Sequence, residues 1–218
     1  MDAVNLDDLV HHPKVWKGAG DDLRFDVVST GFVDLDRQLP GGGWPQKAIT
    51  EIFVDRHGIG ELSLLMPALA GLGKQAIVWV APPYIPYAPA LARFGLDLDQ
   101  VLLVDPLCTG LNALWAVEQI LRSRFKVTVL AWIEAANTVV LRRLQLAVEE
   151  HNGWAILFRP NTALQQRSPA ALRLRLSRKS HNFQIEILKC RGGRPAVVNL
   201  DLSISPDSWI GVGSGGIG

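Results

Sequence analysis

From residue 49 onward the chain alternates between two hydrophobic rhythms. Runs at 49–54, 76–80, 101–104, 127–133 and 154–158 are short and almost continuously apolar, whereas 62–72, 87–94, 111–122 and 137–150 repeat apolar positions every three or four residues. The first rhythm predicts strands covered on both faces and the second predicts helices. Together they describe an α/β fold, a mostly parallel sheet flanked by helices and joined by right-handed crossovers. Asn137 is placed to cap the last helix and Gly153 to close the turn behind it. Beyond residue 158 the rhythm changes to strict alternation. Leu172, Leu174 and Leu176 interleave with Arg173 and Arg175, and Phe183, Ile185 and Ile187 interleave with Gln184 and Glu186. Two such runs with a short polar loop between them predict a C-terminal antiparallel hairpin, to which residues 196–203 add a further strand.

Outside this pattern lie two ends. Residues 1–26 carry six aspartates and no sustained periodicity, which predicts an N-terminal arm, and 205–218 form a glycine-rich tail with five glycines in its last eight residues. The remaining 27–204 are of ordinary single-domain size. With 48% apolar and 20% charged residues and a mean hydropathy of +0.17, the 218-residue chain is too hydrophobic for a disordered protein. The uncharged run 75–92 is broken by Pro82, Pro83, Pro86 and Pro89, so it reads as a strand and turn rather than a membrane span. Early aspartates argue against a secretory signal, and a soluble, cytoplasmic protein is the expectation. Cys108 and Cys190 make neither a disulfide framework nor a zinc site, and His11 and His12 read as an exposed pair. No metal or cofactor is expected.

The loop after the first strand of such a sheet is where phosphate groups bind, through backbone N–H groups and a lysine. Here that loop contains Asp55, His57, Gly58, Gly60 and Glu61. Two glycines remain, but no Gly-Lys-Ser/Thr follows, and acidic side chains stand where a triphosphate would sit. The loop reads as a disabled nucleotide pocket. Gly73-Lys74 closes the following helix and binds no phosphate in this reading.

Ser29-Thr30-Gly31-Phe32-Val33-Asp34-Leu35-Asp36, the loop Pro40-Gly41-Gly42-Gly43, Thr50-Glu51-Ile52-Phe53 and the stretch from Phe94 to Val104 resemble the RecA recombinase family in order and spacing over about residues 29–135. The resemblance implies a RecA-like fold. It also marks three places where that family keeps a Walker A lysine, a catalytic glutamate and a Walker B aspartate. This chain has Gly60-Glu61, Pro82 and Ala131-Trp132 there, so the ATPase is expected to be absent; Glu134, just past the strand, reads as a loop residue rather than a displaced carboxylate. Val15-Trp16-Lys17-Gly18, Val129-Leu130-Ala131-Trp132 and the basic stretch ending Arg191-Gly192-Gly193-Arg194-Pro195 look more like the ImuA family of translesion-synthesis accessory proteins than the related SulA division inhibitors. That resemblance implies a non-catalytic adaptor in SOS-induced, error-prone DNA repair. Its implied partners are RecA and a mutasome of the polymerase-like ImuB and a C-family DNA polymerase; a SulA-type role would imply the division protein FtsZ instead. A third reading is an ATPase with a remodelled pocket.

Charge is the remaining signal. The net charge is only +1, yet residues 159–195 hold nine basic side chains against the single acid Glu186. Arg173 and Arg175 are expected to project together from the hairpin, with Arg178, Lys179, Arg191 and Arg194 extending the patch. A protein partner, weak contact with DNA, and protection of an exposed sheet edge all fit this pattern. Trp79, Trp132 and Trp154 fall in core strands, whereas Trp16, Trp44 and Trp209 fall in loop-like segments and are candidate contact residues.

Overall fold

The computed structural model describes residues 26–104, 110–179 and 182–201. Ten strands are described: β1 (Val27–Val28), β2 (Trp44–Pro45), β3 (Ile49–Val54), β4 (Ala76–Val80), β5 (Val101–Val104), β6 (Val127–Trp132), β7 (Trp154–Pro160), β8 (Leu172–Lys179), β9 (Asn182–Cys190) and β10 (Ala196–Leu200). The helices are α1 (Val33–Asp36), α2 (Met66–Ala70), α3 (Ala88–Arg93), α4 (Gly110–Leu121) and α5 (Thr138–Glu150). Eight strands form one sheet in the order β10-β9-β8-β3-β7-β6-β4-β5. From β8 to β5 every pairing is parallel; β9 and β10 continue the sheet antiparallel. This is the predicted parallel sheet with a C-terminal hairpin. β1 and β2 make a separate two-stranded antiparallel pair.

Two apolar layers sandwich the sheet because the apolar strands β3, β6 and β7 are fully buried on both faces. One layer packs Ile52, Trp79, Trp132, Ile156, Phe158 and the three hairpin leucines beneath α1–α3. The other packs Ile49, Val129, Ala155 and Leu157 beneath α4 and α5. α5 starts as predicted: the Asn137 side chain accepts a hydrogen bond from the Val140 N–H at 2.9 Å. At its far end the left-handed residue is Asn152 (φ 57°), not Gly153, whose N–H instead donates to the Val148 carbonyl.

Four expectations are corrected. The helix predicted over 62–72 shrinks to α2, because Ser63 and Leu65 donate to carbonyls three residues back and wind the first turn too tightly for an α-helix. β5 is not covered on both faces but lies at the sheet edge, with Leu102 and Leu103 exposed. Trp44 is not a surface residue: it is fully buried in β2 against Trp154, with ring centroids 6.1 Å apart. Finally, Arg173 does not project with Arg175, for the reason given below.

Candidate functional site

All parallel strands end at the same side of the sheet, the side where α/β folds bind ligands. There the loop after β3 turns through two left-handed glycines, Gly58 (φ 80°) and Gly60 (φ 107°). Such a turn points successive N–H groups inward and makes an anion-binding nest. The anion is already present. Glu61 is buried, and its Oε1 accepts from the Gly58 N–H at 3.0 Å while Oε2 accepts from the Gly60 N–H at 3.2 Å. The carboxylate therefore takes the donors that would otherwise face a phosphate. Gly60 is also backed by Phe183 of β9; a Cβ there would lie 2.7 Å from the ring. Asp55 and Arg56 point outward on the same loop, and His57 is half-buried beside them.

Aromatic packing occupies the floor. Trp132, at the end of β6, stacks on Phe158 at 4.8 Å and tilts against Trp79 of β4 at 5.7 Å. Between this pair and the loop lies a cleft of about 290 Å3, walled on its far side by Pro82–Pro86 and flanked by the exposed Tyr84 and Ile85. Ala81, which leads into that wall, holds φ 51°, a left-handed conformation that costs a residue with a Cβ about 1–3 kcal/mol. Among the described residues no carboxylate stands at the end of β4, and the end of β6 is held by Trp132. Glu134 is exposed and lines a separate, open groove of about 550 Å3 between α4 and α5. Among the described residues no cluster of His, Cys, Asp or Glu is arranged to hold a metal ion. Nor is any described helix long and apolar enough to cross a membrane.

The basic end divides in two. Glu51 of β3, completely buried, pairs with Arg159 at 2.8 Å and with Arg173 at 2.9 Å. Arg173 further donates to the Ala163 and Leu164 carbonyls and lies 4.8 Å over the Phe53 ring. A buried carboxylate between two strands draws the guanidinium inward, so Arg173 is a core residue rather than a contact residue. Arg175 pairs with Glu186 across the hairpin, and Arg191 reaches Glu149 at 3.8 Å. Arg178 lies 5.5 Å over Phe183, and Lys179 and Arg194 are exposed without an ion pair among the described residues. Burial, together with the Arg173 and Arg191 guanidinium groups, pushes the Lys189 ammonium below the usual lysine range; its Nζ donates to the Ser168 carbonyl at 2.9 Å. Trp16, Trp209 and Cys108 lie outside the described residues. Two features escaped the sequence reading: the internal nest ligand Glu61, for which Gly-x-Gly-Glu was the available signal, and Trp115, which is 64% exposed on α4.

A parallel sheet in this order, a glycine loop after β3 and a C-terminal antiparallel hairpin define a RecA-like α/β domain, here with an internally filled nucleotide loop. Comparison with known proteins agrees. The chain is similar to Protein ImuA of Caulobacter vibrioides, 26% identical over 205 residues that cover 81% of this chain and 84% of the relative. Over a shorter span it is similar to Protein RecA of Prochlorococcus marinus (31% identical over 108 residues, 49% of this chain) and of Synechococcus elongatus (33% over 103 residues, 46% of this chain), covering 28% of each RecA. The likeness to ImuA thus runs along most of both chains, whereas the likeness to RecA covers less than half of this one. No family model matches the chain.

Proposed function

We propose that this protein is a non-catalytic RecA-like adaptor in DNA-damage-induced, error-prone translesion synthesis, linking RecA to ImuB and a C-family polymerase. The observation that carries the non-catalytic part is the Glu61 carboxylate on the Gly58 and Gly60 N–H groups. Phosphoryl transfer depends on that nest, a lysine and a metal-binding carboxylate to position and neutralise the phosphates. This loop offers none of the three to a nucleotide. A fold that keeps the sheet without the chemistry has its surface left to work with, and the likeness to ImuA along most of the chain supports the damage-response role. The surface is suited to protein contacts: Tyr84, Ile85 and Tyr87 beside the cleft and Leu102 and Leu103 on the β5 edge are large, apolar and exposed.

Purified protein is mixed with RecA, ImuB and FtsZ, with and without Mg-ATP and at two salt concentrations. Capture of RecA or ImuB, independent of ATP, is the expected result; capture of FtsZ alone overturns it in favour of a division inhibitor. In parallel, Mg-ATP is expected to leave the unfolding temperature unchanged, because a ligand bound only to the native state must raise it. A concentration-dependent rise would restore the remodelled ATPase.

A further inference from the structure

A buried carboxylate normally has a counter-charge, because desolvating an unpaired charge is costly. Glu51 and Glu118, both buried, follow that rule, each held between two arginines. Glu61 does not. It is only 4% exposed, accepts hydrogen bonds from the Gly58 and Gly60 N–H groups, and has no ion pair among the described residues. Arg56 on the same loop and Arg178 beside Phe183 are exposed, and neither pairs with it. Each Glu61 oxygen accepts one backbone bond and keeps a second lone pair for another donor.

The cleft that Glu61 lines is aromatic. Trp79 and Trp132 line it as well, and Tyr84 lies over the loop, its Cε2 3.7 Å from where a Cβ on Gly58 would stand. Aromatic rings gathered around a carboxylate attract an organic cation, through the negative ring faces and the charge together, and the same carboxylate refuses an anion. The donors do not suit a metal, since among the described residues no group of His, Cys, Asp or Glu is arranged to hold one. A guanidinium suits them best. It is planar and weakly hydrated, it stacks on aromatic rings, and its fork offers two N–H groups to two carboxylate oxygens, whereas a lysine ammonium is a compact, strongly hydrated point charge. The rim identifies the source. Tyr84, Ile85 and Tyr87 are each more than two-thirds exposed, an apolar collar that a free small molecule would leave wet and a protein surface would cover.

We propose that this cleft is a socket for an arginine side chain of a partner protein. The guanidinium pairs with Glu61 among Trp79, Trp132 and Tyr84, and the partner residues around it cover Tyr84, Ile85 and Tyr87. The inference gives the adaptor its contact face, and it rests on that reading for the partner being a protein.

The test is fluorine NMR of the full-length protein labelled with fluorotryptophan, titrated with N-acetylargininamide and with its uncharged isostere N-acetylcitrullinamide. The arginine compound is expected to shift the Trp79 and Trp132 resonances, assigned by Trp79→Phe and Trp132→Phe, saturably with a Kd of about 1 mM, the affinity that a ligand of this size reaches. The Trp115 resonance on α4 is the control and stays in place. Glu61→Gln is expected to weaken binding about tenfold. Because that change also touches the loop, Tyr84→Ala at the exposed rim is the second variant, with binding about fivefold weaker and the unfolding temperature unchanged. Equal binding of the citrulline compound, no shift at Trp79 and Trp132, or wild-type binding by both variants overturns the inference. The same two variants in the capture experiment separate it from the adaptor reading. Capture of a partner that both variants lose supports the socket; capture that both retain in full overturns it and leaves the adaptor standing; arginine binding with no partner captured overturns the adaptor and keeps the socket.

Discussion

Glu61 shows how one side chain changes the meaning of a loop. In sequence it looks like a charge that repels phosphate; in the fold it is itself the anion, satisfying two backbone donors in a buried turn. Glu61→Ala leaves both N–H groups unpaired and is expected to lower stability by about 2–3 kcal/mol in urea unfolding, since hydrogen bonds to charged groups are the stronger class. A loss under about 0.5 kcal/mol would mean that water serves the nest equally well. The Glu51 cluster makes a sharper contrast. Glu51→Gln strips the buried Arg159 of its counter-charge and is expected to cost about 3–5 kcal/mol, whereas Arg178→Ala at the exposed corner stays within about 0.5 kcal/mol. Equal effects would refute the division of the basic residues into core and surface. Cys190 adds a pH signature. Burial pushes its thiol up from 9.0 to about 11, so the folded state holds the proton longer than the unfolded chain does. Its contribution to stability is complete below about pH 9 and is lost as the pH rises towards 11. Alkylation of the native thiol is accordingly expected to stay slow at pH 8 and to accelerate steeply above pH 10.

At the scale of elements, local chemistry and tertiary demand mostly agree. The Asn137 cap is read from the sequence and present in the structure, and Asn137→Ala is expected to cost about 1 kcal/mol of stability, measured by thermal unfolding. An unchanged midpoint would show that the tertiary packing of α5 holds the helix start without its cap. The strands β3, β4 and β5 begin and end where their apolar runs do, because a run of β-branched and aliphatic residues has one length whichever neighbour it meets. Disagreement appears where an element depends on something distant. α2 loses its first turn to the loop that Glu61 closes, and β5 carries the composition of an interior strand while standing at the edge. An exposed edge of that kind invites pairing by another chain, which is why it belongs to the surfaces offered for partner binding.

For the whole molecule, the distribution of charge is the quantity that the fold rewrites. Nine basic residues cluster in sequence, but Arg159 and Arg173 are spent on Glu51, Arg175 on Glu186, and Arg191 leans towards Glu149. Lys189 is held by the Ser168 carbonyl, which leaves Arg167, Arg178, Lys179 and Arg194 at the exposed surface of the basic region. Any DNA binding through these four is expected to show a shallow salt dependence, a slope of log K against log salt no steeper than about −4, because each neutralised phosphate contributes about −0.9. A steeper slope would require a DNA surface elsewhere on the protein.

Sequence alone determined the class of fold, the succession of the main strands along the chain, the hairpin and the cap of α5, since periodicity and capping are properties of neighbouring residues. It also exposed the loss of the lysine from the nucleotide loop, which is a matter of composition at one position. Only the tertiary structure decided which strand stands at the edge, that Trp44 is core, that Arg173 turns in to Glu51 and that Glu61 fills the nest. Each of those outcomes joins residues far apart in the chain or turns on the direction of a single side chain, and burial of a charge is settled by whether its counter-charge arrives from another strand.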